Sequence, residues 1–377
     1  MAQILLNLQK VNHNMKTKHS IFFSPAQNMS AIADNSINEI VTSPPYPMIE
    51  MWDEILSLQN PKIAIALNNN QGDIAFEEMH KELDKVWKEC YRVLAPGGFL
   101  CINIGDATRT INGEFCLFNN HARIVTSCLN LGFKNLPNII WRKQTNAPNK
   151  FMGSGMLPCG AYVTLEHEYI LIFRKGGKRE YKKEQDKSIR KKSAFFWEER
   201  NVWFSDLWEI KGVKQKISNS DTRERSAAYP FEVPYRLINM YSQYGDTVLD
   251  PFFGLGTTSQ AAIVAGRNSV GFEIDPKLKN SIEDNLSNLS IGELNGIIKS
   301  RYDKHLSFVK DRIANKGSLK HSNATITTEV MTSQEEELEF HYLRDIQCQD
   351  FEQTIIEVDY EDTSDINVLP TSEGYLF

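Results

Sequence analysis

The chain alternates short apolar runs with longer amphipathic segments, and this alternation constrains its fold more than any other feature. Residues 37–42 form an apolar run of strand length. Residues 76–94 carry apolar side chains at helical spacing, and Ala-Pro-Gly-Gly at 95–98 is expected to end that helix before a strand at 99–104. The same rhythm predicts further helices at 122–131, 229–244 and 257–265, and further strands at 138–141, 168–173, 247–250 and 269–273. The pattern predicts an α/β fold with a doubly wound, mostly parallel sheet.

The segment from about residue 174 to residue 224 breaks this rhythm. Residues 174–192 contain ten Lys or Arg and three acidic residues, and an aromatic run follows at 195–208. An insertion that interrupts one sheet explains this break better than two unrelated domains do. The expected divisions are therefore 20–173 and 225–300 as two halves of one domain, 174–224 as an insert, and 301–377 as a C-terminal extension.

The net charge of −6 hides an uneven distribution. Residues 334–377 contain thirteen Asp or Glu and one Arg, so the first 333 residues hold 41 Lys or Arg against 35 Asp or Glu. A mildly basic body can bind a polyanion. The acidic tail is weakly patterned, and we expect it to be either poorly ordered or a small late addition to the fold.

The compartment is expected to be the cytoplasm. The first 18 residues lack the pattern of a signal peptide, and no stretch approaches the roughly 18 uncharged apolar residues of a membrane helix, so no membrane partner is expected. The six cysteines are scattered without C-x-x-C pairing, which favours reduced structural thiols over disulfides or zinc.

The five residues Thr42-Ser43-Pro44-Pro45-Tyr46 follow the first predicted strand directly. They would lie at its carboxyl end, where open α/β sheets place their ligand crevices. The two prolines fix the backbone and remove N–H donors, which leaves a rigid, acceptor-rich turn with a hydroxyl and an aromatic face. Such a turn can hold a planar ring that bears an amine, although an ordinary Pro-Pro turn would look the same.

A second motif runs from Asp250 to Thr258 and reads as a strand end, a glycine turn and a helix start. Its glycines let the backbone approach a ligand, and its threonines place hydroxyls near exposed helix N–H groups. Glu273 ends the next strand, where an acid can accept both hydroxyls of a ribose. A dinucleotide-binding turn is the alternative. However, Ser259 stands where G-x-G-x-x-G needs its third glycine, and Asp250 suits a cationic ligand end better than a pyrophosphate.

S-adenosylmethionine, a nucleoside that carries an amino acid, matches this second motif. The motif combines an acid, small residues, an aromatic edge from Phe252 and the ribose-binding Glu273. A third motif at 226–231 leads into the helix ahead of the strand and supplies Tyr229 and Pro230.

Together the motifs resemble DNA amino-methyltransferases of the β group, in which the catalytic motif precedes the cofactor motif. The resemblance covers roughly residues 20–280 and rests on Thr42–Tyr46, residues 93–98 with 103–106, residues 226–231, Asp250–Thr258 and Glu273. Ser-Pro-Pro-Tyr is similar to the cytosine-N4 subclass, whereas Asp-Pro-Pro-Tyr is the usual adenine-N6 form. One departure is Ser24-Pro25-Ala26-Gln27, where many relatives carry Gly-Asp or a similar acid.

The resemblance implies S-adenosylmethionine as cofactor, duplex DNA as substrate, and often a partner restriction endonuclease that acts on the same site. It makes 20–173 the catalytic half, 225–300 the cofactor-binding half and 174–224 the target-recognition insert. The implied catalytic residues are Ser43, Pro44, Pro45, Tyr46, Asn103 and Asp106. The implied cofactor-binding residues are Tyr229, Pro230, Asp250, Phe252, Gly254, Gly256, Thr257, Thr258 and Glu273.

In the implied mechanism, Ser43 Oγ and the Pro44 carbonyl accept hydrogen bonds from the target amine while Tyr46 stacks on the base. The strands that bear Ser43 and Asp250 would be neighbours. Asn103 or Asp106 would line the pocket and relay the proton, or would only cap the strand end. No metal site is expected, because the adjacent residues of Glu166-His167-Glu168 would point to opposite faces of a strand.

Three other functions remain open at the level of sequence. Adenine-N6 methylation is the nearest, because both bases present an amine beside a ring nitrogen. Methylation of RNA or protein and a catalytically inactive DNA-binding regulator are the others. The basic run 174–192, with Arg142, Lys143 and Lys150, is the expected phosphate contact, although a solvated loop is the commoner role of such a run.

Overall fold

In the computed structural model, residues 15–143, 152–212, 229–350 and 355–361 are described. The strands within these residues are β1 (Lys16–Phe22), β2 (Ile37–Thr42), β3 (Leu94–Ile104), β4 (Ala107–Ile111), β5 (Glu114–Phe118), β6 (Phe133–Asn135), β7 (Ile139–Arg142), β8 (Met152–Gly153), β9 (Ala161–Tyr162), β10 (His167–Lys175), β11 (Leu207–Glu209), β12 (Thr247–Asp250), β13 (Asn268–Phe272), β14 (His321–Asn323), β15 (Thr328–Val330), β16 (Tyr342–Asp350) and β17 (Ile355–Glu361).

The helices are α1 (Asp53–Gln59), α2 (Pro61–Asn68), α3 (Gly72–Val93), α4 (Asn120–Asn130), α5 (Glu184–Lys192), α6 (Trp197–Trp203), α7 (Glu232–Tyr241), α8 (Thr257–Val264), α9 (Lys279–Ser287) and α10 (Ile291–Lys316). Short 3-10 helices lie at Glu50–Trp52, Pro276–Leu278 and Ser333–Glu335. None of the described helices is long and apolar enough to cross a lipid bilayer.

One 11-stranded sheet organises the molecule, in the order β11-β7-β10-β3-β2-β12-β13-β1-β17-β16, with β6 beside β10. The five central strands, from β3 to β1, pair in parallel, and antiparallel strands extend the sheet on both sides. The carboxyl ends of the central strands therefore meet at one edge, where such folds bind ligands.

Helices cover both faces of the sheet, and the central strands alternate their apolar side chains between two cores. Ile40 and Leu249 pack on the face that carries α3 and α4, where Trp87 of α3 is fully buried. Their neighbours Val41 and Val248 pack on the opposite face, against α7 and α8. Because side chains of a strand alternate between faces, this pattern requires helices on both sides. The predicted doubly wound α/β fold is confirmed.

Most elements lie where the periodicity predicts them, and β2 has the predicted bounds. The expected turn at 95–98 differs, because β3 already begins at Leu94. The register of β2 against β3 shifts between the pairs Ile37–Leu94 and Glu39–Phe99. The Pro-Gly-Gly sequence therefore forms an irregularity inside a strand rather than a separate turn.

The described part of the basic and aromatic segment folds onto the main body. It contains α5, α6 and β11, and β11 pairs in parallel with β7 at one end of the sheet. Phe196, Trp203 and Trp208 are buried in the core on the α7 side. At the other end of the sheet, β17 pairs with β1 and β16 pairs with β17, so part of the acidic tail belongs to the sheet.

Candidate active site

The two principal motifs lie side by side at the carboxyl edge of the sheet. Strands β2 and β12 pair in parallel, with Ile40 opposite Leu249. Directly after these pairs, Thr42 Oγ1 donates a hydrogen bond of 2.6 Å to Asp250 Oδ1. The expectation that the strands bearing Ser43 and Asp250 are neighbours is confirmed.

A cleft opens between the two motifs. From the Ser-Pro-Pro-Tyr turn it is lined by Ser43, Pro44 and Pro45. The predicted cofactor residues that line it are Tyr229, Asp250, Phe252, Gly254, Thr257, Thr258 and Glu273. A side chain at Gly254 would meet nothing within 4 Å, so the cofactor turn presents open backbone to the cleft.

Asp250 is buried at the base of the cleft and is surrounded by donors. Its Oδ1 accepts from Thr42 and from the backbone N–H of Phe252 at 3.0 Å. Its Oδ2 accepts from Thr258 Oγ1 at 2.6 Å, and the hydroxyl of Tyr229 contacts both Thr258 and Asp250. Burial raises the pKa of Asp250 to about 6, although these hydrogen bonds pull it in the opposite direction.

Glu273 forms the far wall of the cleft, one residue beyond β13. Its Oε2 accepts the backbone N–H of Gly254 at 2.9 Å, and its Oε1 accepts that of Asp275 at 2.8 Å. Burial raises the pKa of Glu273 to about 7. Two desolvated carboxylates therefore face one cleft, which suits a ligand that carries positive charge and hydroxyl donors.

Phe253 packs between the cofactor turn and strand β13 and supports the turn. It is buried, and its ring lies over Gly271 of β13, where a Cβ atom would stand only 1.9 Å from Phe253 Cδ2. Its backbone N–H donates to Phe272 O at 2.8 Å. Gly256, with a φ of 86°, then turns the chain into α8. Pro230 is buried just before α7 and, unlike its neighbour Tyr229, lies outside the cleft lining.

Behind the cleft, three of the predicted catalytic residues share a hydrogen-bond network. Ser43 Oγ lies 3.2 Å from the hydroxyl of Tyr46. Asn103, at the end of β3, donates from Nδ2 to the Tyr46 hydroxyl at 2.8 Å, and its Nδ2 lies 3.5 Å from Ser43 Oγ.

Glu168 completes this network, and the sequence interpretation did not assign it a role there. Its Oε2 accepts from Tyr46 at 2.9 Å and from Asn103 at 2.7 Å, and its Oε1 pairs with Lys143. Glu168 is buried on β10, and the next two positions on the same face of that strand, Ile170 and Ile172, are buried and apolar. An inward-facing acid in such a strand was the available signal, but only the pairing of β10 with β3 places it beside Asn103.

Asp106 has a different environment. Its carboxylate accepts the backbone N–H of His121 at 3.1 Å, near the start of α4, and contacts the His121 ring at 2.7 Å. That ring stacks on Tyr169 with centroids 3.9 Å apart. These contacts tie Asp106 to the first turn of α4, and both interpretations of Asp106, strand-end capping and a role in the pocket, stay predictions.

Several residues of the cleft were not predicted as site residues. The Ser24–Gln27 stretch contributes Ala26 and Gln27, and α1 contributes Gln59, whose side chain accepts a hydrogen bond from Gln27. The remaining cleft residues without a predicted role are apolar or aromatic: Trp52, Ile55, Pro251, Phe253, Leu255, Phe272, Ile274 and Leu278. Asp53, next to Trp52, is not among the lining residues and pairs with Arg109 at 2.7 Å.

The expected DNA contacts are partly engaged within the molecule. Arg179 pairs with Asp246 at 2.5 Å, and Arg142 lies 3.4 Å from Glu209. In α5, Lys191 and Lys192 pair with Glu337 and Glu339 of the C-terminal region at 2.6 and 3.0 Å. Residues 145–150, including Lys150, residues 213–224 of the insert and residues 226–228 of the third motif lie outside the described part of the chain.

Comparison with known proteins adds an independent line of evidence. The model of the N6/N4 methyltransferase family, described as DNA methylase, matches residues 37–284. Type II methyltransferase M.MthZI of Methanothermobacter thermautotrophicus is 49% identical over 332 residues, which cover 88% of this chain and 92% of that protein. Type II methyltransferase M.MjaI of Methanocaldococcus jannaschii is 50% identical over 284 residues, which cover 72% of this chain and 92% of that protein.

Solved structures agree with the fold. TTHA0409 of Thermus thermophilus, in complex with S-adenosyl-L-methionine, is 31% identical and superposes with a TM-score of 0.55 over 72% of this chain and 98% of that chain. PvuII DNA methyltransferase, described as cytosine-N4-specific, has a TM-score of 0.50 over 76% of this chain and 93% of that chain. Its identity of 16% limits that likeness to the fold.

Proposed function

The chain belongs to the N6/N4 methyltransferase family of DNA methylases, and we propose that it methylates the N4 amine of a cytosine in duplex DNA. S-adenosylmethionine supplies an electrophilic methyl group when it is bound. The cleft fits this cofactor because it combines two buried carboxylates with an open glycine turn and apolar walls. In the proposed arrangement, Asp250 and the Thr258 hydroxyl hold the cationic end, and Glu273 accepts the ribose hydroxyls.

The target base enters beside the Ser-Pro-Pro-Tyr turn. The exocyclic amine of cytosine is a weak nucleophile because its lone pair is delocalised into the ring. Ser43 Oγ and the Pro44 carbonyl accept the amine hydrogens, which favours a pyramidal nitrogen whose lone pair is aimed along the cleft. The ring of Tyr46 lies against the base. A base in duplex DNA has to leave the stack to reach such a site, at a cost of a few kcal/mol.

The observation that carries the choice of cytosine is the Ser43 hydroxyl at the catalytic position. In this family Ser-Pro-Pro-Tyr accompanies N4 transfer to cytosine, whereas an aspartate in place of the serine is usual for N6 transfer to adenine. Here Ser43 lines the cleft together with Pro44 and Asp250, and its Oγ lies 3.2 Å from the Tyr46 hydroxyl. Adenine-N6 transfer is the alternative outcome of the test below.

Duplex DNA is proposed to contact the basic segment 174–192. Its ion pairs with Glu337 and Glu339 are at least partly exposed, and exposed pairs contribute little to stability, so phosphates can replace the carboxylates at small cost. Lys143 lies next to the catalytic network and is 40% exposed, which places a cation beside the proposed entry of the base. The relatives named above are Type II methyltransferases, and we propose a partner restriction endonuclease that cuts the same DNA sequence.

The base can be identified by incubating the protein with duplex DNA and labelled S-adenosylmethionine, followed by digestion to nucleosides and mass spectrometry. We expect label in 4-methylcytidine and none in methyladenosine. Ser43→Ala is the matched control, and it should abolish label while binding the cofactor with unchanged affinity. Methyladenosine without 4-methylcytidine would exclude the cytosine assignment, and full activity of Ser43→Ala would remove Ser43 from the mechanism.

A further inference from the structure

We propose that Glu168 is a positioning residue that directs the hydrogen-bond chain ending at Ser43 and receives, through Tyr46 and Ser43, the proton that the methylated amine must lose. The inference rests on methyl transfer to an exocyclic amine. It is independent of whether that amine belongs to cytosine or adenine, because both reactions leave the same surplus proton.

The geometry places Glu168 at the end of a continuous chain of donors and acceptors. Ser43 Oγ is 3.2 Å from the Tyr46 hydroxyl, which is 2.9 Å from Glu168 Oε2. The other carboxylate oxygen pairs with the ammonium group of Lys143. The chain therefore leads from the cleft to a buried carboxylate.

The carboxylate fixes the direction of every bond in this chain. An ionised carboxylate only accepts hydrogen bonds, so Tyr46 must donate its single hydrogen to Glu168. Tyr46 can then only accept from Ser43, and the single hydrogen of Ser43 points away from the cleft. The lone pairs of Ser43 Oγ are left for the substrate, which matches an amine that offers hydrogens.

Without the Glu168 carboxylate, the direction of the hydrogen bond between Tyr46 and Ser43 would no longer be fixed. Tyr46 could donate to Ser43, and Ser43 would then point its hydrogen at the amine and compete for the lone pair that attacks the methyl group. Asn103 strengthens the arrangement because its amide has two hydrogens, one for Glu168 at 2.7 Å and one for Tyr46 at 2.8 Å.

The same chain can carry the proton away. As the nitrogen–carbon bond to the methyl group forms, the carbon–sulfur bond breaks and its electron pair stays on sulfur, which leaves the amine nitrogen positively charged. That nitrogen gives a proton to Ser43 Oγ, Ser43 passes its own proton to Tyr46, and Tyr46 passes its own to Glu168. The step ends with a neutral methylated amine and a protonated Glu168.

Two further features suit this role. Burial and the neighbouring Glu168 raise the pKa of Tyr46 well above its ordinary value, so Tyr46 transmits a proton rather than losing one to solvent. Gly105 leaves the space that both side chains occupy. A Cβ atom there would lie 3.0 Å from Tyr46 Cε2 and 3.3 Å from Glu168 Cγ.

The test compares Glu168→Gln, Tyr46→Phe and the double variant in single-turnover methyl transfer. Each single change should slow transfer by about 100-fold, the usual size of a lost general-base contribution. Because both residues act in one chain, the double variant should be no slower than the slower single variant. Cofactor affinity by calorimetry should stay within about threefold of the wild type in all of them, and this measurement also reports correct folding.

Glu166→Gln is the matched control, since it removes an acid two residues away that is partly exposed and lies 3.8 Å from Arg142. It should transfer methyl groups at the wild-type rate. A Glu168→Gln rate close to wild type, or single losses that multiply in the double variant, would overturn the proposal. Mass spectrometry of the wild-type product separates the identity of the methylated base from the role of Glu168. Methyladenosine would refute the cytosine assignment, and the rates of the variants would still decide the role of Glu168.

Discussion

At the scale of single residues, the site is defined by carboxylates that the fold has taken out of water. Asp250 and Glu273 are both buried, yet each is held by hydrogen bonds from backbone N–H groups, and Asp250 also by two threonines. Burial raises their pKa values to about 6 and about 7. At neutral pH Asp250 is therefore mostly ionised and Glu273 is near its titration midpoint, and a cationic ligand would stabilise both charges.

We expect cofactor affinity to depend on pH for this reason. A carboxyl with a raised pKa is ionised above that pKa and protonated below it, so a ligand that prefers the ionised form binds best above pH 7 and progressively worse below it. Calorimetry should give S-adenosylmethionine a dissociation constant ten- to a hundredfold larger, in order of magnitude, at pH 5.5 than at pH 8. Glu273→Gln should lose the part of this dependence that lies near pH 7, and equal affinity at both pH values in the wild type would contradict the assignment.

At the scale of elements, the site consists of turns that follow neighbouring parallel strands. The turn after β2 supplies Ser43, and the turn after β12 supplies several of the proposed cofactor residues. Local pattern was sufficient to predict these turns, since each is an apolar run followed by Pro or Gly at a fixed place. The position of Glu168 could not be predicted in this way, because it depends on the antiparallel pairing of β10 with β3, which joins residues far apart in the sequence.

Packing beneath the cofactor turn gives a test at this scale. Gly271→Ala would place a methyl group 1.9 Å from the Phe253 ring, so the ring and the turn above it must move. We expect a loss of stability of about 1–3 kcal/mol, typical of an overpacked core, together with a cofactor affinity lower by about tenfold or more. Thermal unfolding and calorimetry measure the two effects. Gly177→Ala is the control, because a Cβ atom there meets nothing within 4 Å, and a Gly271→Ala variant that matched it would show that the ring does not support the turn.

At the scale of the whole molecule, both ends of the sheet are formed by segments whose composition does not predict that they join the sheet. The aromatic run after the basic segment buries Trp203 and Trp208 in the main core, and its strand β11 joins the sheet. Tyr360 in the acidic tail is fully buried, and its hydroxyl donates to Ile263 O at 2.8 Å. The basic charge of one segment and the acidic charge of the other suggested that neither packs onto the main body. Their packing onto the body depends on distant partners, which local periodicity does not reveal.

The overall charge distribution fits a DNA-modifying enzyme with a basic body and a compensating acidic tail. Lys191 and Lys192 of the basic segment pair with Glu337 and Glu339, at the start of that tail. In the proposed complex, DNA phosphates would take the place of these carboxylates.

The most direct test of the central claim is sequencing, with detection of modified bases, of DNA from cells that express the protein. We expect 4-methylcytosine at the copies of one short DNA sequence in cells with the wild-type protein, and no such signal in cells with Ser43→Ala. Methylated adenine in place of 4-methylcytosine, or an unchanged signal with Ser43→Ala, would contradict the account.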